Sequence, residues 1–348
     1  MHMADALLTP AVGGTMWAAT AGTIAYCSRK VKLEMDDSKV PLMGVLAAFI
    51  FAAQMINFTI PGTGSSGHLG GGMILAILLG PYAAFLAMAS VLTVQALFFA
   101  DGGLLALGCN IFNLGIFPCF IAYPLIYRPL VGESPSQRRI FLAAIVSAVF
   151  GLQLGAFGVV LETVLSGVSS LPFNTFVSLM QPIHLAIGIV EGLVTAAVVL
   201  FVWKARPEIL KYADSARSLC GLSLKKVLVG LAIVTVVTGG SLSWFASANP
   251  DGLEWAILGV TGSEEVEEGE SGLHAALAWL QECFAFLPDY GFAQPETSSE
   301  KVAEEAAEAW PAVDAGTSVS GLIGGIMTLA LAALIGLLLK RRQRPQVG

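Results

Sequence analysis

LGGGMILAILLGPYAAFLAMASVLTVQALFF, residues 69–99, runs for 31 residues without a charged side chain. About 20 apolar residues in a helix cross the roughly 30 Å of bilayer hydrocarbon, so this stretch is too long for one span. Gly80-Pro81 interrupts it. Proline cannot donate to the helical ladder and disfavours helix in the residue before it. The stretch therefore divides into a short helix over 69–79 and a full one over 81–99. About 11 residues make only some 16 Å of helix, which cannot cross alone. The short helix must stop below the outer surface, with the preceding loop dipping in to meet it. Irregular backbone at that depth is tolerated only where protein buries it or it lines a cavity. Topology alone thus marks residues 58–68 as a place to look for a site.

Further apolar stretches lie at 10–27, 41–57, 109–127, 139–165, 182–203, 225–245 and 319–339. The chain of 348 residues is 55% hydrophobic and 12% charged, about half the charge of a globular protein. This reads as an all-α polytopic membrane protein and excludes a soluble enzyme, a fibre or a disordered chain. The net charge of −7 argues against nucleic acid.

The basic residues orient the spans. Arg29, Lys30, Lys32 and Lys39 fall in one loop, and Arg128, Arg138 and Arg139 in another. Six more lie at 204–226, four at 340–344, and Lys301 alone elsewhere. About nine transmembrane helices, with the N-terminus outside and the C-terminus cytoplasmic, put 17 of the 18 on the cytoplasmic side, as the positive-inside rule requires. Residues 246–318 differ in kind: 15 of the 25 acidic residues and one lysine give −14 over 73 residues. This predicts a long acidic external loop, largely disordered, with a surface helix around 300–309; its field would gather cations at the membrane. No cleavable signal peptide is expected, because MHMADALLTP lacks a basic start.

Few groups remain for chemistry. The five cysteines show no C-x-x-C, and no G-x-x-x-x-G-K-[ST] is present, so the chain carries no P-loop ATPase. No nucleophile–base constellation suggests an enzyme. Four histidines occur. His2 and His68 share the outer face by the helix parity, and His68 lies in PGTGSSGHLGGG, which has six glycines in twelve residues. The amine of Met1, the amide nitrogen of His2 and its Nδ1 form fused five- and six-membered chelate rings, and one nitrogen of His68 would complete a plane. Four planar nitrogens suit Ni(II) or Cu(II), with Co(II) close behind. Two histidines alone are a weak signal, and by themselves they read as polar residues in external loops.

The motifs resemble a family. MHMADALLTP is similar to the H-x-A-D-G-x-L opening of the substrate-capture subunits of energy-coupling factor transporters for cobalt and nickel, with Ala6 where the family commonly has glycine. PGTGSSGHLGGG at 61–72 resembles that family's P-x-x-G-T-S-G-H-L-x-G-G loop. QALFFADGGLLALGCNIFN at 95–113 and HLAIGIVEGLVTA at 184–196 resemble two further blocks. Residues 248–256, ANPDGLEWA, carry the PDGLE signature of the small companion subunit. The resemblance implies a fusion: a metal-capture domain over 1–217 with seven helices, and a companion-like region over 218–348 with two helices around the acidic loop.

The resemblance further implies Met1, His2 and His68 as metal ligands. It implies no permanent cofactor, Ni(II) or Co(II) as cargo, and a prokaryotic inner-membrane location. The partners would be a transmembrane coupling subunit and two cytoplasmic ATPase subunits. Asp5, Asp101, Asn110 and His184 could orient the ligands from behind, or simply make loop and cap hydrogen bonds. His184 is expected near the outer start of the seventh helix, which Pro182 would open; a structural role is preferred for it. His274 is expected to be exposed. Ala18-x-x-x-Gly22 and Ala21-x-x-x-Ala25 allow close helix approach, either to a coupling subunit or within the bundle. The alternative function is a self-sufficient divalent cation channel or ion-driven carrier, for which Glu162 and Glu191 make a sparse pathway.

Overall fold

The computed structural model describes residues 2–34, 39–168, 171–210, 223–263, 272–292 and 310–340. After a short 3-10 turn at Asp5–Leu7, α1 (Pro10–Glu34) and α2 (Lys39–Gln54) lead into a hairpin. There follow α3 (Gly72–Leu79), α4 (Pro81–Phe99), α5 (Leu107–Val131), α6 (Gln137–Ser166) and α7 (Phe173–Ala205). Beyond them come α8 (Lys225–Gly240), α9 (Gly252–Thr261), α10 (Leu273–Phe284) and α11 (Ala315–Leu339). Among the described residues five helices, α4, α5, α6, α7 and α11, are long and apolar enough to cross a membrane.

The break in the long apolar stretch falls at Gly80. Its φ of +81° is open to glycine and strained for other residues, and Pro81 then starts α4 at a position where a missing N–H costs nothing. Packing relies on small residues. Gly188 and Gly192 of α7 let the backbone of α6 approach, so that a Cβ there would lie 2.9 Å from Val149 Cα and 2.6 Å from Ile145 Cα respectively. The rings of Phe51, Phe85 and Phe99 are fully buried. Ala18, Ala21, Gly22 and Ala25 of α1 are all exposed, so this small-residue face is not used within the bundle.

Four expectations need correction. The fold is not purely helical: Phe58–Ile60 (β1) and Ser65–Gly67 (β2) form an antiparallel hairpin with Thr59 opposite Ser66. The acidic stretch is not one open loop, since 246–318 contains α9, α10 and a 3-10 turn at Pro288–Tyr290. The helix expected to open at Pro182 starts at Phe173 and runs through that proline. His274 is half-buried, bonded to the N-terminal segment rather than displayed to solvent. The glutamate run 264–270 and the helix expected at 300–309 lie outside the described residues.

Candidate metal centre

The PDGLE motif shows why its residues stand in that order. Pro250 O accepts from Ser66 N at 2.8 Å and Asn249 O from Ser66 Oγ at 2.8 Å, while Ser247 N donates to Asn57 O at 2.7 Å. Residues 247–250 thus run along the outer edge of the hairpin. Asp251 then caps α9: its Oδ1 accepts from Leu253 N and Glu254 N at 2.7 and 2.9 Å, and Glu254 Oε2 accepts from Asp251 N at 2.7 Å. This reciprocal arrangement is a capping box. Gly252 permits contact with α7, where a Cβ would lie 2.7 Å from Ile183 Cγ2 and 3.1 Å from His184 Cε1. The companion-like region is therefore built onto the loop that carries His68.

Behind His68 two helices grip the glycine run and a third supports one of the gripping side chains. Glu191 of α7 accepts from Gly70 N at 2.9 Å and from Gly71 N at 3.1 Å. Gln54 of α2 donates to Gly70 O at 2.9 Å, and Gln95 of α4 donates to Gln54 Oε1 at 2.9 Å. Gly71 adopts a φ of +77°, which lets two consecutive amides face one carboxylate.

The N-terminal segment lies on the loop after α4. Met3 N donates to Asn110 Oδ1 at 2.9 Å, and Met3 O accepts from Gly103 N at 3.0 Å and from Asn110 Nδ2 at 3.3 Å. Asp5 Oδ1 accepts from Ala106 N at 2.8 Å just before α5. Met3, Leu7 and Leu8 are fully buried. His274 Nε2 adds a bond to Leu8 O at 2.8 Å from above.

These two supports bring His2 and His68 together. Their rings stack with centroids 4.9 Å apart and planes 7° from parallel. His2 Nδ1 is 3.0 Å from Asp101 Oδ1, and the buried His2 Nε2 has no hydrogen-bond partner. His68 Nδ1 lies 3.1 Å from Leu69 O, so the lone pair of that ring resides on Nε2. Burial above all, with the neighbouring His2 adding to it, pushes the His68 imidazole down to about 3. Burial by itself would raise the Asp101 carboxyl; the charge of His2 and hydrogen bonds from His2 and Tyr290 outweigh that and hold it well below the usual carboxylate range. Tyr290 bonds Asp101 through its hydroxyl and stacks on Phe99 at 5.1 Å.

The two imidazoles face a cavity of about 690 Å³ whose walls include Asp101, Asp251, Glu254 and Asp289. No lysine or arginine is among its described lining residues. Such a cavity draws cations and repels anions. Among the described residues no cluster of three or more His, Cys, Asp or Glu side chains is arranged to hold a metal.

The other candidates separate cleanly. Met1 lies outside the described residues. Asp101 touches His2, whereas Asp5 and Asn110 act on the backbone that carries it. His184 bonds Met180 O at 2.8 Å and lies below His68 against Gly252, its Nε2 buried without a partner. Glu162 pairs with Asn113 at 2.8 Å, away from the cavity. Tyr290, Asp251 and Gln54 were missed from sequence. No motif surrounds Tyr290 or Gln54, and Asp251 was read only as part of a signature.

Residues 2–209 match the model of the cobalt uptake substrate-specific transmembrane region, and residues 225–341 match the PDGLE domain. The chain belongs to the cobalt uptake substrate-specific transmembrane family. Relatives agree along its length. A putative fused nickel transport protein NikMN of Archaeoglobus fulgidus is 31% identical over 336 residues, 95% of this chain and 96% of the relative. A putative metal transport protein of Haloquadratum walsbyi is 40% identical over 212 residues, 60% of this chain and 93% of the relative. A crystal structure of a transition metal transporter superposes with a TM-score of 0.53 at 31% identity, covering 63% of this chain and all of that one. As a member of this family, the chain is a multi-pass membrane component of cobalt or nickel transport.

Proposed function

We propose that this member of the cobalt uptake family is the substrate-specific component of an ATP-driven energy-coupling factor importer. It captures Ni(II) or Co(II) outside the cell membrane and works with a separate coupling subunit and two ATPases. The observation that carries this reading is the pair of stacked imidazoles in a carboxylate-lined cavity free of lysine and arginine. Residues 1–217 form the capture domain and 218–348 the companion-like region, in about nine spans of a prokaryotic inner membrane with the N-terminus outside. The exposed small-residue face of α1 is the place for the coupling subunit.

In this reading the metal takes the amine of Met1, the amide nitrogen and Nδ1 of His2, and Nε2 of His68. Chelation through Nδ1 requires the His2 ring to leave Asp101, so the cation replaces a hydrogen bond rather than entering an idle site. A planar nitrogen set favours Ni(II). Extra residues placed before Met1 are expected to abolish tight Ni(II) binding while the chain still folds. Unchanged affinity on titration of the extended protein would exclude the amino-terminal chelate. X-ray absorption and electronic spectra of the native complex should show planar four-nitrogen nickel rather than octahedral oxygen ligation. Loss of cellular uptake when the ATPases are deleted separates an importer subunit from a self-sufficient channel or carrier.

Asn110 gives a milder test. Asn110→Ala removes two bonds to the Met3 backbone but no ligand, and should weaken Ni(II) binding about 10-fold, the low end for groups behind a ligand. The spectrum of the nickel complex should be unchanged.

A further inference from the structure

α10 wears its polarity inside out. Two of its polar side chains turn toward the protein: besides His274, Gln281 Nε2 donates to Ala96 O and Gly102 O at 2.8 Å each, while Glu282 is exposed. The opposite face presents Leu273, Trp279, Leu280 and Phe284 in the open, with Trp279 at 65% exposure. An amphipathic helix in a water-surrounded protein turns its apolar stripe inward. One that turns it outward is matched to an apolar medium on that side. With 12 residues α10 is too short to span the bilayer.

Its depth is fixed from two sides. Gln281, and Leu287 N with a 3.4 Å bond to Phe98 O, attach it to the last turn of α4. At the far end, Gly316 in the first turn of α11 abuts the following segment, where a Cβ would lie 3.0 Å from Phe292 N. Both α4 and α11 are long and apolar enough to cross the membrane. Residues 272–292 therefore sit where two spans end, the level of headgroups and upper acyl chains. The apolar surface is continuous there: Phe286, itself half exposed, packs on Phe98 of α4 at 5.9 Å.

We propose that α10 is an interfacial helix whose outward face is seated in the bilayer that α4 and α11 cross, its partner being lipid acyl chains. Aromatic side chains gather at this boundary, and helices of this kind sink about 5–10 Å into it. Glu282 is the only charged residue of α10, and no lysine or arginine accompanies it. Attraction to anionic headgroups, the usual partner of basic surface helices, therefore plays no part. The segment bearing His274 and Tyr290 is held down by lipid as well as by protein.

Cys283 offers a native probe. It is exposed on the apolar face of α10, whereas Cys27, Cys109 and Cys119 are buried. A nitroxide is attached to Cys283 of the full chain carrying Cys220→Ala, reconstituted in phosphatidylcholine vesicles. Its collisions with oxygen, relative to those with aqueous chromium oxalate, should exceed by several-fold the ratio for a label at Glu282→Cys in a Cys283→Ala background. The ratio should not move when salt is raised or anionic lipid added. The proposal is overturned if chromium oxalate reaches both labels equally. It is overturned too if protein shields Cys283 from both reagents, or if spin–spin broadening reveals a second copy on this face.

Discussion

His2→Ala is expected to eliminate tight Ni(II) binding, and His68→Ala to weaken it by more than the roughly 10–100-fold that loss of a supporting group behind a ligand costs. His2→Ala keeps the amide nitrogen but removes Nδ1 and with it the six-membered chelate ring, whereas His68→Ala removes a single monodentate nitrogen. The losses should therefore be unequal, and the residual His68→Ala complex should have a changed spectrum. Calorimetric titration measures the affinity, and an unchanged thermal midpoint of the metal-free protein would show that the fold survives. Equal small losses in both variants would refute the ligand assignment.

The same pair predicts a pH response. Burial lowers the His68 imidazole from its ordinary 6.5 to about 3, so protons do not compete for it across the range where an ordinary histidine titrates. The acid-side loss of nickel affinity should then come from the protons that the Met1–His2 chelate must release, and His68→Ala should leave its slope with pH nearly unchanged. For folding, the sign runs the same way. With a lowered pKa the neutral His68 contributes stability above pH 6.5, and that stability is lost as pH falls toward 3, because the unfolded chain takes up the proton first.

Glu191→Leu is the second large effect. It strands the amides of Gly70 and Gly71, each an unsatisfied buried donor costing about 1–3 kcal/mol, and releases the glycine run behind His68. Nickel affinity should fall about 10–100-fold with no ligand removed, so the nickel spectrum should stay that of the parent. Glu191→Gln keeps one acceptor oxygen and should recover part of the loss. Failure of the glutamine variant to exceed the leucine variant would show that Glu191 acts by charge alone and not as a paired acceptor.

How much of this was legible in the sequence depends on what each residue talks to. Gly80-Pro81 announced the break in the third apolar stretch, because proline's effect is local and covalent. Pro182 gave the wrong boundary for the same reason read too strictly: inside a membrane helix, neighbours satisfy the freed carbonyl, and α7 runs straight through it. The hairpin at 58–67 hid in glycine and serine, residues that read as loop, and the partners of its free edge at 247–250 lie nearly 200 positions away. Average charge concealed α9 and α10, because a net count over 73 residues is blind to two short apolar helices within them. Glu191 was visible as a carboxylate within a span. Its partners were not, being backbone amides that no side-chain pattern can advertise.

The junction of Ser66 with Pro250 has a further consequence. Two separate proteins meeting at this contact would have to surrender translational freedom each time. Here one polypeptide carries both halves, and tethering of this sort corresponds to an effective concentration on the order of millimolar. Occupancy of the junction is then independent of how much protein a cell makes, and an unlinked copy of either half would be a poor competitor for it. Stoichiometry is written into the chain.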